Sequence, residues 1–143
     1  MPTITIASAG LSAPRRRAVA LGITRWLTAR GVRAAHVVVR FEPADEDRVF
    51  TGGWPVSALP RPEGAGDLHH AWVVCRISHD RDEEFRAALA GHIAEVLGVT
   101  ARTPFFHLEF LPVSPADVYV AAGGPLHRSD RPAGADGSEG RTR

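Results

Sequence analysis

The chain has 143 residues, of which 44% are hydrophobic and 23% charged, with a formal net charge of +1. That length suits one compact core burying roughly two-thirds of the unfolded surface, and the near-neutral charge excludes a nucleic-acid or membrane-surface partner recruited by a basic face. The single cysteine, Cys75, excludes an internal disulfide and a thiolate metal centre and fits a reducing cytoplasm, while no stretch approaches the ~20 apolar residues of a membrane span.

Residues 3–8 alternate as a half-buried strand directly after Met1-Pro2. The turn Gly10-Leu11-Ser12 leads into a helix with Ser12 as its cap and Pro14 in its first turn. Val19, Ile23, Trp26 and Leu27 form the apolar stripe of that helix, and Gly31 is placed to end it. A β-rich run over 36–41, a polar turn and a short hairpin over 49–53 follow. Residues 55–67, rich in Pro and Gly, read as a connecting loop.

The same order then recurs. Residues 72–78 predict a strand with Cys75 as a buried packing residue, and Asp80 or Asp82 caps a helix with the stripe Phe85, Leu89, Ile93, Val96 and Leu97. Gly98 ends that helix, 105–111 form another strand, and Val118-Tyr119-Val120 runs into Gly123-Gly124. Gly31-Val32 pairs with Gly98-Val99, residues 40–43 with 109–112, and Gly52-Gly53 with Gly123-Gly124. One duplication inside one domain accounts for these pairs. We therefore expect an α+β domain over 1–126 with pseudo-repeats at about 2–53 and 70–124, and a disordered tail over 127–143. Two strand-helix-strand units predict a four-stranded mixed sheet, parallel within each unit, with both helices on one face. The apolar residues left on the other face are expected to be covered by another copy of the chain.

A Met-Pro opening directly into a strand, two strand-helix-strand units and an arginine ahead of the second helix together resemble the tautomerase superfamily over residues 2 to about 124. In pattern the chain is most similar to the long, fused members, among them the fused 4-oxalocrotonate tautomerase-like proteins and malonate semialdehyde decarboxylase. In the segment 77–84, Arg81 keeps the second of that decarboxylase's two arginines, while His79 replaces the first and His36 stands at its acidic position. The cis-3-chloroacrylic acid dehalogenase group shares the arginine at Arg81 but differs at Leu27, Ser78 and near Ala121, so dehalogenation is not expected.

The resemblance implies that Pro2 is a catalytic amine, exposed when Met1 is removed, although proline also suits the first residue of a strand because it lacks an N–H. A secondary amine serves as a base at neutral pH only if partial burial and a nearby cation disfavour its ammonium form. Arg81 is the expected carboxylate clamp and neighbouring cation; the alternative is a helix-start arginine paired with Glu84 or solvated. His36 and His79 are candidate hydrogen-bond donors to an enolate oxygen, or surface histidines. Glu109 and His107 share one strand face and either line the pocket or meet polar groups of the other half; Tyr119 is a candidate hydroxyl or a packing residue. His69, His70, His79 and His107 show no HExxH or regular ligand spacing, so no metal centre is expected. The expected activity is isomerisation of a small 2-oxo or enol carboxylate by one base, without a cofactor, in a cytoplasmic homotrimer; the trimer is carried over from the resemblance. A β-keto acid decarboxylase or hydratase is the alternative chemistry, and a non-catalytic interaction protein retaining the fold is the alternative of another kind.

Overall fold

The computed structural model describes residues 2–132. Strand β1 (Thr3–Ala7) leads to helix α1 (Ala13–Thr28), whose N-terminus is capped by Ser12, the side chain accepting the Arg15 N–H at 3.2 Å. Strand β2 (Val38–Glu42) follows, then a hairpin of β3 (Phe50–Thr51) and β4 (Trp54–Pro55). Its two-residue turn is Gly52-Gly53, both with positive φ (57° and 83°), the geometry that lets the turn follow the twist of the strands. The second half repeats the plan with β5 (His70–Ser78), α2 (Glu83–Leu97) and β6 (Phe105–Val113), closed by β7 (Tyr119–Val120) and β8 (His127–Arg128). Of the two aspartates offered as caps for α2, Asp82 is used, accepting the Phe85 N–H at 2.8 Å. Glu83 and Glu84 in the first turn complement the helix dipole.

The main sheet has the order β2-β1-β5-β6. β1 is parallel to β2 and β5 to β6, while β1 and β5 meet antiparallel at the centre. The halves are thus related by a pseudo-twofold across the β1–β5 pair. Ile4 and Ile6 of β1 and Ala71, Val73, Cys75 and Ile77 of β5 point to the side covered by the helices, against Val19, Ile23 and Leu27 of α1 and Leu89, Ile93 and Leu97 of α2. The helices meet where Gly22 offers no side chain: a Cβ there would lie 3.3 Å from Val96, and the Gly22 carbonyl accepts His92 Nε2–H at 3.0 Å. Trp26 fills the rest of the seam, edge-on to Phe85 and stacked on His92. Among the described residues no helix is long and apolar enough to cross a membrane.

Cys75 is fully buried, and burial pushes its thiol up to about 12. The native protein should therefore leave a thiol reagent such as DTNB unreacted and release one equivalent only in denaturant; rapid native reaction would mean that the β5 packing is wrong.

Two expectations change. The strand expected from His36 starts at Val38, because 34–36 close a 3₁₀ turn in which the His36 N–H donates to the Arg33 carbonyl. Residues 127–132, expected in a disordered tail, are part of the fold: β8 pairs with β7, His127 is buried, and the Ser129 N–H and hydroxyl donate to the carbonyls of Val118 and Pro115, each at 2.8 Å. Two-residue strands carry no periodicity to read. Residues 133–143 of that expected tail lie outside the described residues.

The second face of the sheet is uncovered in one chain. Val38, Trp72 and Leu111 remain 40–41% exposed there. Trp72 stacks on His107 at 4.3 Å between ring centroids, and Arg40 pairs with Glu42 at 3.0 Å.

Candidate functional site

Pro2 stands at the entry to β1, buried, with its carbonyl accepting the Val38 N–H at 3.1 Å. Because that bond joins the start of β1 to β2, it fixes Pro2 relative to the 3₁₀ turn that carries His36. Beneath Pro2 a small cavity of about 30 Å³ is lined by Leu27, Val32, Ile77 and Phe85 together with Ser78 and Arg81. Above it opens a cleft of about 380 Å³ whose polar lining includes His36, Arg33, Arg81, Asp130 and Arg131. An apolar floor and a cationic mouth meet at Pro2.

Arg81 reaches this place because β5 ends at Ser78 and the chain turns there, the Arg81 N–H donating to the Ser78 carbonyl at 3.2 Å. Its guanidinium lies 4.4 Å over the Phe85 ring, and among the described residues no carboxylate is within ion-pair distance of it. Neighbouring Asp80 feels the Arg81 charge but takes its hydrogen bond from elsewhere. The Ser78 hydroxyl donates to its carboxylate at 2.5 Å and holds that carboxyl below its usual range. Asp130, the one acid lining the cleft, accepts a two-pronged contact from Arg128 at 3.0 and 2.6 Å. With Asp130 paired to Arg128, Arg33 and Arg81 give the cleft a positive lining, which suits an anionic ligand.

His36 is partly buried, with its ring 6.4 Å from that of His127. Burial first, then the positive charges of Arg33 and the chain's N-terminus, hold its pKa below the ordinary 6.5. At neutral pH the ring is therefore uncharged, with one N–H to donate. The sign for stability follows: as pH falls below about 6.5 the unfolded chain takes up the proton first, so this contribution is complete at neutral pH and lost on acidification. His70 shifts in the same direction, chiefly through burial. We expect the melting temperature to fall between about pH 7 and pH 5, and His36→Gln to flatten that slope. An unchanged slope in the variant would remove His36 from the account.

Of the five residues singled out from the sequence, the fold brings Pro2, His36 and Arg81 to one cleft and leaves His79 and Glu109 outside it. His79 is exposed, and its N–H donates to the Val113 carbonyl at 2.9 Å, closing the end of the β5–β6 pair. Glu109 lies on the uncovered sheet face, where its carboxylate accepts the Trp72 indole N–H at 3.3 Å. Alternation along β6 correctly set Glu109 apart from Phe110, but that face belongs to the open side of the sheet and not to the mouth at Pro2. Tyr119 is largely exposed on β7. The reading of the sequence missed Arg33 and the returning segment 129–132, which lines the cleft from the far end of the chain. Arg33, just after Gly31-Val32 and three residues ahead of His36, could have been found from its place beside a candidate residue. Nothing in the polar run after β8 marks its return.

No family model matches the sequence, and no curated protein matches it. Solved structures do share its fold. A fused 4-OT protein, R7, described as an asymmetric trimer, is 19% identical with a TM-score of 0.60 over 84% of this chain and 93% of its own. N1, a member of the cis-3-chloroacrylic acid dehalogenase family, is 21% identical with a TM-score of 0.66 over 89% and 85%. FG41 malonate semialdehyde decarboxylase, inhibited by 3-bromopropiolate, is 17% identical with a TM-score of 0.55 over 87% and 91%. All three are tautomerase-superfamily structures, and at these identities the likeness is one of fold.

Proposed function

We propose that this chain, which carries the fold of the tautomerase superfamily, is a tautomerase-like isomerase of a small 2-oxo or enol carboxylate, with Pro2 as its general base once Met1 has been removed. The observation that carries this reading is the convergence of Pro2, His36 and Arg81 on one positively charged cleft with an apolar floor. Burial at Pro2 and the Arg81 charge both disfavour an ammonium ion, so the free secondary amine is a usable base near neutral pH. Arg81 holds the substrate carboxylate through two hydrogen bonds, and the neutral His36 ring donates to the enolate oxygen. Pro2 takes the enol O–H proton and returns it to the adjacent carbon, so atoms and charge balance with one base and no co-reactant.

Intact mass is the first test: a mature chain that retains Met1, or that carries an acyl group on Pro2, would sink the reading. The second is ketonisation of a small enolpyruvate by wild type and Arg81→Ala. Loss of a charge-assisted pair should raise KM by roughly 10–100-fold with a smaller change in kcat. Proline-dependent release of CO₂ from a β-keto acid would favour the decarboxylase instead, and inactivity on both substrate types the interaction protein.

The same reading makes the uncovered sheet face a contact between copies. Val38, Trp72 and Leu111 supply its apolar part, and the fused 4-OT structures of this fold are described as trimers. A trimer mass by light scattering is the expected result; a monomer at micromolar concentration would contradict it.

A further inference from the structure

The pseudo-twofold gives the sheet a second end equivalent to the one that holds Pro2. In the first half Thr3 stands opposite Val38, and in the second His70 stands opposite Phe105, the same step along the chain. His69 stands immediately before β5, as Pro2 stands immediately before β1.

Three donors meet there. The His69 and His70 Nδ1 atoms are 3.3 Å apart, and each lies 3.5 Å from Oε1 of Glu46, which comes from the turn between β2 and β3. Their side chains are only 10%, 2% and 17% exposed, respectively, so little water competes for these atoms. His69 and Glu46 are also oriented from behind. His69 Nε2 lies 3.2 Å from the Leu59 carbonyl, which accepts its proton and leaves Nδ1 as a bare lone pair. Arg61 donates to the other Glu46 oxygen at 2.5 Å, leaving Oε1 toward the imidazoles. The Ser8 hydroxyl donates to the His70 carbonyl at 2.6 Å and fixes the start of β5. Ligating histidines and carboxylates in metal centres are held by such outer hydrogen bonds.

The spacing distinguishes one coordination geometry from another. Metal–nitrogen and metal–oxygen bonds of about 2.0–2.1 Å place neighbouring ligands about 3.3–3.4 Å apart in a tetrahedron and about 2.9–3.0 Å apart in an octahedron. The observed 3.3, 3.5 and 3.5 Å outline one face of a tetrahedron. Without a cation, one hydrogen on His70 Nδ1 would have to serve both His69 Nδ1 and Glu46 at the long end of hydrogen-bond distance. With an ion on Nδ1, His70 Nε2 carries the hydrogen and has no acceptor among the described residues, a cost that the bonds to the ion must exceed.

We propose that Glu46, His69 and His70 form a binding site for one tetrahedral divalent ion of the zinc type, the fourth ligand coming from solvent or a small molecule. Glu46 belongs to a turn and the histidines to a strand entry, so the ion ties the β2–β3 connection to the central sheet. The site lies outside the cleft of the proposed isomerase, and its test is independent of that activity.

The test uses the full chain without a tag, freed of metal by chelator. Zinc chloride titrated by calorimetry should bind at one equivalent per chain and raise the melting temperature. Cobalt(II) in its place should give the intense visible bands of tetrahedral coordination. Glu46→Gln and His69→Gln, checked for native circular dichroism, should each weaken zinc binding by at least about 100-fold. Should one variant misfold, the other decides. No zinc uptake by the wild type, an octahedral cobalt spectrum, or wild-type affinity in a folded variant would overturn the proposal.

Discussion

Pro2→Ala should slow ketonisation of a small enolpyruvate by about 10²–10⁴-fold, the range lost when a positioned general base is removed, with the far-UV circular dichroism unchanged. The fold should tolerate the change, because the main-chain bond from Val38 to residue 2 does not depend on the ring. The chemistry should not. The ring fixes the direction of its nitrogen, and Leu27, Val32 and Phe85 line the small cavity beside it. Alanine would leave a freely rotating primary amine whose lone pair is no longer held in one direction. Much of the loss should therefore fall on kcat, in contrast to the KM effect expected for Arg81→Ala. Equal rates in wild type and Pro2→Ala would rule out a proline base whatever the behaviour of Arg81.

The largest stability effect should come from Gly98→Ala. Gly98 ends α2 at φ 82°, a conformation that costs other residues about 1–2 kcal/mol. Its carbonyl accepts the Leu68 N–H at 2.8 Å, which brings the loop before β5 so close that a new Cβ would collide with the Gly66 carbonyl oxygen and lie 3.1 Å from the Arg15 guanidinium. Backbone cannot swing aside as a side chain can, so overpacking adds about 1–3 kcal/mol. The total, about 2–5 kcal/mol, should lower the melting temperature by roughly 10 °C. Gly31 supplies the control. It follows α1 at φ 89° with nothing within 4 Å of an added Cβ, so Gly31→Ala should show the conformational cost alone. Equal losses in the two variants would disprove the contact with Gly66.

The duplicated architecture was legible because its signals are local. Ser12 and Asp82 cap the helices, Gly52-Gly53 makes the hairpin turn, and the β1 alternation puts Ile4 and Ile6 in the core. Parallel pairing within each unit followed from the crossover helices. At the site, Pro2 and Arg81 were legible through a resemblance that fixes both at strand ends. His79 and Glu109 show the limit. A strand's period tells which face a side chain takes, but not whether that face lies over a cleft or over open sheet. Segment 129–132 and Glu46 were beyond reach for another reason: each arrives by a connection whose path depends on tertiary contacts, Ser129 on Pro115 and Glu46 on Arg61.

The antiparallel join of β1 to β5 has a consequence for how such a chain can change over evolutionary time. In an assembly of single, unfused units every copy is encoded once, so a mutation suited to one end of the sheet is imposed on all ends together. Joining two units in one reading frame removes that constraint. Here a proline precedes one strand and a histidine pair opens its counterpart, a difference that a homo-oligomer of one unfused unit could not carry.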